Sequence, residues 1–242
     1  FFEIIRKLPS DEVTISVDDN YVMNISGGKA KFNISARPTE EFPFLPQIVK
    51  NNNITISQFS LKEVIRQTVF SISDNENTKV MTGELFEVKG NKLKVVSLDG
   101  HRISIRNIEL KNSYDEVSVI IPGKTLIEIS KILNGGMDDD VNIYFTDKHA
   151  LFEFENTIVL SRLIEGEYYK IDKMLSSDYE TKLTVNKKEM LDCIDRTTLL
   201  IKESDKKPVI IDIKDDSMGF NMHSSIGSMD EEISATKEGK DF

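Results

Sequence analysis

The chain has 242 residues, of which 39% are hydrophobic and 30% charged, and its formal net charge is -10. That balance describes a folded protein and argues against one that coats nucleic acid over its whole surface. No run approaches the roughly 18 apolar residues that cross a bilayer, no secretory leader is visible, and the single cysteine, Cys193, has no internal disulfide partner, so a cytoplasmic protein with a buried reduced thiol is expected.

The first segment, Phe1 to Leu8, has apolar residues at 1, 2, 4, 5 and 8, the stripe of a helix, with Arg6 and Lys7 on another face. Pro9-Ser10-Asp11 stops it. Strands are expected at Glu12–Val17, Tyr21–Ser26 and Lys31–Ala36, separated by turns. Thr39 to Gln47, rich in Pro and Phe, reads as an extended strap pinned against a core. Lys50 to Asn53 reads as a linker. Ile54–Ile56 is a strand leading into a helix from Leu61 to Phe70, with Ser57 or Ser60 as its cap. A polar loop follows, then strands at Met81–Val88, Lys92–Leu98 and Ile103–Leu110, with the turn Asp99-Gly100-His101 between the last two. Val117–Ile121 leads into a helix over Thr125–Leu133, stopped by Asn134-Gly135-Gly136. Strands at Asn142–Phe145, Ala150–Glu155 and Thr157–Leu163 repeat the earlier meander, Glu165–Leu175 repeats the strap, and Ser176-Ser177-Asp178 is a second linker. Thr181–Val185 and a helix to about Leu200 come next. A charged loop, strands at Val209–Ile213 and Met218–His223, and a final stretch of strand and loop complete the chain.

The helices recur. Leu61 in LKEVIRQTVF, Leu126 in LIEISKIL and Met190 in EMLDCIDRTTLL are 65 and 64 residues apart, and FFEIIRKL at the start matches LIEISKIL almost position for position. A longer repeat relates Val13 to Val141 and Ser35 to Ser161, 128 and 126 residues on. The unit is therefore a domain of two similar halves, each one helix packed on short antiparallel strands, an α+β class. The expected division is 1–51 as the back half of a first domain, 52–178 as a complete second, and 179–242 as the front half of a third.

Two such halves close one core with both helices on the same side of the sheets. A row of these domains presents helices along one side, and the helices carry Arg6, Lys7, Lys62, Arg66, Lys124, Lys131, Lys187, Lys188 and Arg196. The acidic excess lies mainly in loops and strands, as at Asp18-Asp19, Glu40-Glu41, Asp138 to Asp140 and Asp230 to Glu232. The partition is imperfect: Glu3, Glu63, Glu128, Glu189, Asp192 and Asp195 also lie on helices.

Five stretches carry a resemblance: SLDGHRI at Ser97 to Ile103, TGELFE at Thr82 to Glu87, VIIPGK at Val119 to Lys124, KILNGG at Lys131 to Gly136, and FFEIIRKLP at the start. With them the chain resembles, over its whole length, the bacterial sliding clamps, the β subunits of the replicative DNA polymerase. The resemblance implies the DNA clamp fold, and that the first half of domain one and the end of domain three are missing here. It implies a head-to-tail homodimer whose six domains encircle duplex DNA without sequence preference. The nine helix cations would then face DNA. It also implies partners among polymerase, clamp-loader and repair proteins, which dock by short linear motifs in a pocket between domains two and three. Carried over by position, that pocket takes Met81, Leu98, Gly100, His101, Arg102, Ile103, Tyr169, Lys173 and Met174. Tyr169 and Lys173 depart from the proline and arginine common among relatives. The dimer interface would use Phe32 and Ile34 on one side, and Leu199 and Leu200 on the other.

Nothing in the sequence points to catalysis. Asp99-Gly100 reads as a turn; His101, His149 and His223 have no metal-ligand spacing; no phosphate-cradling glycine loop or nucleophile motif occurs. No cofactor, metal or catalytic residue is expected. From the repeat alone the rival is an interaction scaffold that never touches DNA, and an acidic helix row would support it.

Overall fold

The computed structural model describes every residue except 43, 45, 47, 52, 176–178, 202–206, 241 and 242, and the side chain of Lys173. The described residues form two compact units, Phe1–Tyr168 and Tyr169–Phe242.

The first unit opens with helix α1 (Phe2–Arg6) and an antiparallel meander of β1 (Thr14–Val17), β2 (Val22–Gly27) and β3 (Ala30–Ser35). In the strap that follows, the described aromatic residues are not pinned as expected. Phe42 and Phe44 are 76% and 92% exposed. The prolines at 38, 43 and 46 leave this stretch with three fewer N–H donors for tying it to a core.

Strand β4 (Asn53–Ser57) runs into α2 (Gln58–Thr68), whose apolar residues Leu61, Val64 and Ile65 share one face and are buried. Ser57 is the cap: its Oγ accepts the Ser60 N–H at 3.2 Å. Next come β5 (Gly83–Leu98), β6 (Ile103–Pro122) and α3 (Gly123–Ile132). Then β7 (Asp140–Phe145), β8 (His149–Phe154) and β9 (Thr157–Arg162) form a sheet with β4 in the order β4-β7-β8-β9. The first strand of one half thus pairs with the meander of the other, Ile54 opposite Ile143 and Ile56 opposite Val141. One core results, built from Ile56, Leu61, Ile65, Phe86, Leu126, Ile129, Val141 and Phe152, so two half-repeats share one interior as the repeat implied.

The four strands expected between Met81 and Ile121 are two. β5 and β6 make a continuous ribbon from Gly83 opposite Pro122 to Leu98 opposite Ile103, with register shifts between Val88 and Lys92. Gly90, at φ +60°, supplies a bulge where the sequence reads as a break. The ribbon folds back, because both ends of β5 reach the C-terminal turn of α2. Ser97 Oγ donates to the Thr68 carbonyl at 2.5 Å, and the Glu84 side chain lies beside Thr68.

The two halves also meet at Gln58, which is fully buried. Its Oε1 accepts the Asn134 N–H (2.8 Å) just past α3, and its Nε2 donates to Glu155 (3.1 Å) in the β8–β9 turn. The corresponding position of the second half is Gly123, where a Cβ would come within 2.3 Å of Ile72 Cδ1.

In the second unit, β10 (Thr181–Val185) precedes α4 (Lys187–Thr198), β11 (Ile210–Ile213), β12 (Ser217–Ser224) and β13 (Gly227–Gly239). The sheet order is β10-β13-β12-β11. The last stretch, expected as strand and loop, is one strand: up to Ser234 it pairs with β12, and from Ala235 it pairs with β10. Each segment takes a different neighbour, so no unpaired run is left. Asn186 caps α4 by accepting the N–H groups of Lys188 and Glu189. Cys193 is buried with Met218, Phe220, Ile233 and Ala235. The second linker and most of the charged loop lie outside the described residues.

Candidate functional site

The turn joining β5 to β6 is built by Asp99. Its Oδ1 accepts the N–H groups of His101 (3.0 Å) and Arg102 (3.2 Å), and its Oδ2 accepts Arg102 Nε–H (2.9 Å). The N–H of His101 above all, then those of Arg102, hold the Asp99 carboxyl below the usual carboxylate range. Gly100 sits at φ +90° with open space where a side chain would be, so glycine is needed for the backbone and not for packing.

This turn presents Gly100, His101 and Arg102 to solvent above Leu98, which is buried, and Ile103, which is half-buried. Arg102 lies over the ring of Phe70, its Cζ 5.7 Å from the centroid, and Phe70 is itself exposed. Met81, half-buried, belongs to the 3-10 stretch Glu76–Thr82 just before β5, and its carbonyl accepts the Ser73 N–H at 2.8 Å. The six residues assigned to domain two therefore sit at the two ends of one strand that α2 draws together. Phe70 is absent from the sequence-based set. The signal for it was faint: an aromatic at the end of a helix reads as core.

Tyr169 and Met174 belong to the second unit and are both exposed; Lys173 ends a single 3-10 turn, Ile171–Lys173, anchored by the buried Ile171. Of the residues expected at a dimer interface, Phe32 and Ile34 lie on β3, at the edge of its sheet, with Phe32 exposed and Ile34 half-buried. Leu199 directly follows α4 and is 77% exposed, while Leu200 is half-buried.

The nine helix cations are less free than a basic face requires. Arg6 bonds Glu3 (2.9 Å), Arg66 grips Glu63 with Nε and Nη2 (2.9 and 2.7 Å), Lys131 bonds Glu128 (2.7 Å) and Lys188 bonds Asp192 (3.1 Å). Arg196 holds Glu231 through both Nε and Nη2, and Lys62 Nζ donates to the Leu133 carbonyl at 2.8 Å. Lys7, Lys124 and Lys187 stand exposed. Acids placed one helical turn away took up charges that a count along the sequence left open.

Beside Thr68, at the C-terminal turn of α2, lies a group that the sequence did not single out. Glu84 is completely buried, neither carboxyl oxygen has a hydrogen-bond partner, and burial pushes its pKa up to about 8. Burial thus favours its protonated form. Among the described residues no helix is long and apolar enough to cross a membrane.

Comparison with known proteins places the chain in context. Residues 1–46 match the family model described as DNA polymerase III beta subunit, N-terminal domain, and residues 55–170 match the model for the central domain of the same subunit. A beta sliding clamp from Staphylococcus aureus is 34% identical over 236 residues, which are 97% of this chain and 62% of that protein. The crystal structure of the DNA polymerase sliding clamp from Bacillus subtilis superposes with a TM-score of 0.87 at 36% identity, covering 99% of this chain and 64% of that one. A crystal structure from Eubacterium rectale, assigned as a DNA polymerase III beta subunit, gives 0.88 at 61% identity, covering 99% and 65%. The chain thus spans somewhat less than two thirds of the length of the relatives it matches.

Proposed function

The chain belongs to the bacterial DNA polymerase III beta subunit family, and on that premise we propose that it acts as part of a sliding clamp. In this reading it encircles duplex DNA, tethers the replicative polymerase for processive synthesis, and performs no catalysis of its own. The observation that carries the reading is the shared interior of the first unit. Two half-repeats close one core with α2 and α3 side by side, held by Lys62, Gln58 and Asn134. A module of that kind, repeated around a closed path, holds DNA by topology, so local contacts to phosphate need only be weak and non-specific.

Several finer assignments belong to the same proposal. The domain limits are 1–51, 52–178 and 179–242. Phe32, Ile34, Leu199 and Leu200 contribute to a head-to-tail homodimer, and the protein works in the cytoplasm. Met81, Leu98, Gly100, His101, Arg102 and Ile103, with Tyr169, Lys173 and Met174, receive linear peptides from polymerase, clamp-loader and repair proteins. The exposed Arg102 above a buried apolar base suits a peptide with an apolar anchor and a polar flank.

Retention on circular against linear DNA tests the encircling mechanism in the intact gene product. The expected result is retention on circles alone, and equal retention on both forms removes the mechanism. For the pocket, a short peptide copied from a polymerase partner should lose most of its affinity to an Arg102→Ala, Met174→Ala variant. Unchanged binding would place the peptide site elsewhere.

A further inference from the structure

The helices assigned to the DNA face carry a repeated device. With the copies aligned on Leu61 and Leu126, Glu3, Glu63 and Glu128 occupy one position, and Arg6, Arg66 and Lys131 occupy the position three residues on. In every one of these copies the two side chains are joined, at 2.9 Å, 2.7 Å and 2.7 Å. The fourth copy keeps the acid as Asp192 but has Asp195 in the cation's place, and Lys188, one turn earlier, supplies the partner at 3.1 Å. The same acid position is therefore ion-paired within its own helix in all four.

Stability does not account for this recurrence, because solvent-exposed pairs of this kind contribute little to folding. Their effect on an anionic partner is larger. A cation bonded to a carboxylate has committed part of its donor set, most fully in Arg66, where two parallel bonds occupy one whole edge of the guanidinium. The pair also presents no net charge to a phosphate beyond its immediate neighbourhood.

We infer that the acid at this position is a brake on DNA affinity: it withholds the neighbouring cation from phosphate and leaves Lys7, Lys124 and Lys187 to make first contact. The inference rests on the reading that these helices face DNA, and it supplies what a ring that slides requires. Phosphate contacts are few, so moving along the duplex breaks few bonds at each step.

Binding of the chain to a short fluorescent duplex, followed by anisotropy across a salt series, tests it. The triple variant Glu3→Gln, Glu63→Gln, Glu128→Gln should bind roughly tenfold more tightly at low salt, with the slope of log K against log salt steeper by about 2 to 3, near 0.9 for each phosphate gained. A control triple, Glu40→Gln, Glu109→Gln, Asp115→Asn, raises the net charge equally from exposed positions off the helices. It should leave the slope unchanged. Equal steepening in both overturns the inference, because net charge alone then explains the gain. Adding Arg6→Ala, Arg66→Ala and Lys131→Ala to the first triple should abolish its gain, and a retained gain also overturns it. The variant Lys7→Ala, Lys124→Ala, Lys187→Ala separates the two levels. If it weakens binding while the glutamine triple does not tighten it, the brake alone falls. If neither set changes binding, the helices are not the DNA face and both readings fall.

Discussion

Helices α2 and α4 descend from the same repeated pattern and are buried very differently. α2 buries Leu61, Val64 and Ile65 together with Gln58 and Thr68. α4 buries only Cys193 and Thr197, and leaves Leu191 53% exposed and Ile194 partly so. The difference is one of neighbours. α2 lies beside α3 over a ribbon and a sheet, whereas among the described residues α4 rests on β12 and β13. A half-repeat buries one stripe of its helix; the second half-repeat buries the rest. The duplication is thus a device for completing a core that neither half can complete alone.

The sharpest way to break this contrast is to truncate one side chain in the first core and one on α4. Phe152→Ala, at a fully buried ring of the first unit, should cost about 3–5 kcal/mol in urea unfolding, while Leu191→Ala on the exposed flank of α4 should leave the midpoint nearly unchanged. Comparable losses at the two sites would mean that α4 is as enclosed as α2.

Glu84 sharpens the same contrast through pH. Its folded pKa of about 8 lies above the ordinary 4.5, so the folded state holds the proton more tightly than the unfolded chain. The contribution of this group is therefore fully present below about pH 4.5 and is lost as the pH rises toward 8, by up to about 1.4 kcal/mol per pH unit. Glu84→Gln keeps the neutral shape and should flatten that decline in the first unit. A stability difference between the two proteins that is constant from pH 5 to 8 would show that Glu84 does not titrate in this range.

The smallest expected effects concern the caps. Ser57→Ala and Asn186→Ala should each cost about 1 kcal/mol, but the readouts differ. In the first unit the loss is shared by a large core. In the second it should open α4 locally and speed alkylation of the single cysteine, Cys193, about fivefold. Unaltered labelling would place α4 in a more cooperative unit than its burial indicates.

Much of this architecture was legible because it depends on period. Spacing identified α2, α3 and α4, the meander strands and the half-repeat, and Ser57 was one of two caps in view. What stayed hidden depends on partners distant in sequence or on backbone geometry. Gly90 read as the end of a strand, yet its left-handed backbone carries β5 through a bulge. Glu84 read only as part of a strand, with nothing local to mark it as buried, and the fold-back places it beside Thr68. Arg6, Arg66 and Lys131 were counted towards a basic face, and Glu3, Glu63 and Glu128, visible on the same helices three residues away, turn out to be their partners. Composition records such charges but not their rotamers. The peptide-site residues came from resemblance, and Phe70, which steadies Arg102, had no signal beyond being aromatic.

Gln58 and Gly123 stand at the same place in the two halves, and neither tolerates the other's role. A side chain at 123 would displace the Ile72 side chain, and a glycine at 58 would remove the buried amide that ties the start of α2 to both the α3 exit and the β8–β9 turn, leaving only the Asn134–Glu155 bond there. A duplicated chain risks exchanging one half for its twin, within a molecule or between two of them. This mismatched pair marks the two halves as different, so that exchanging one for its twin would not restore the same contacts.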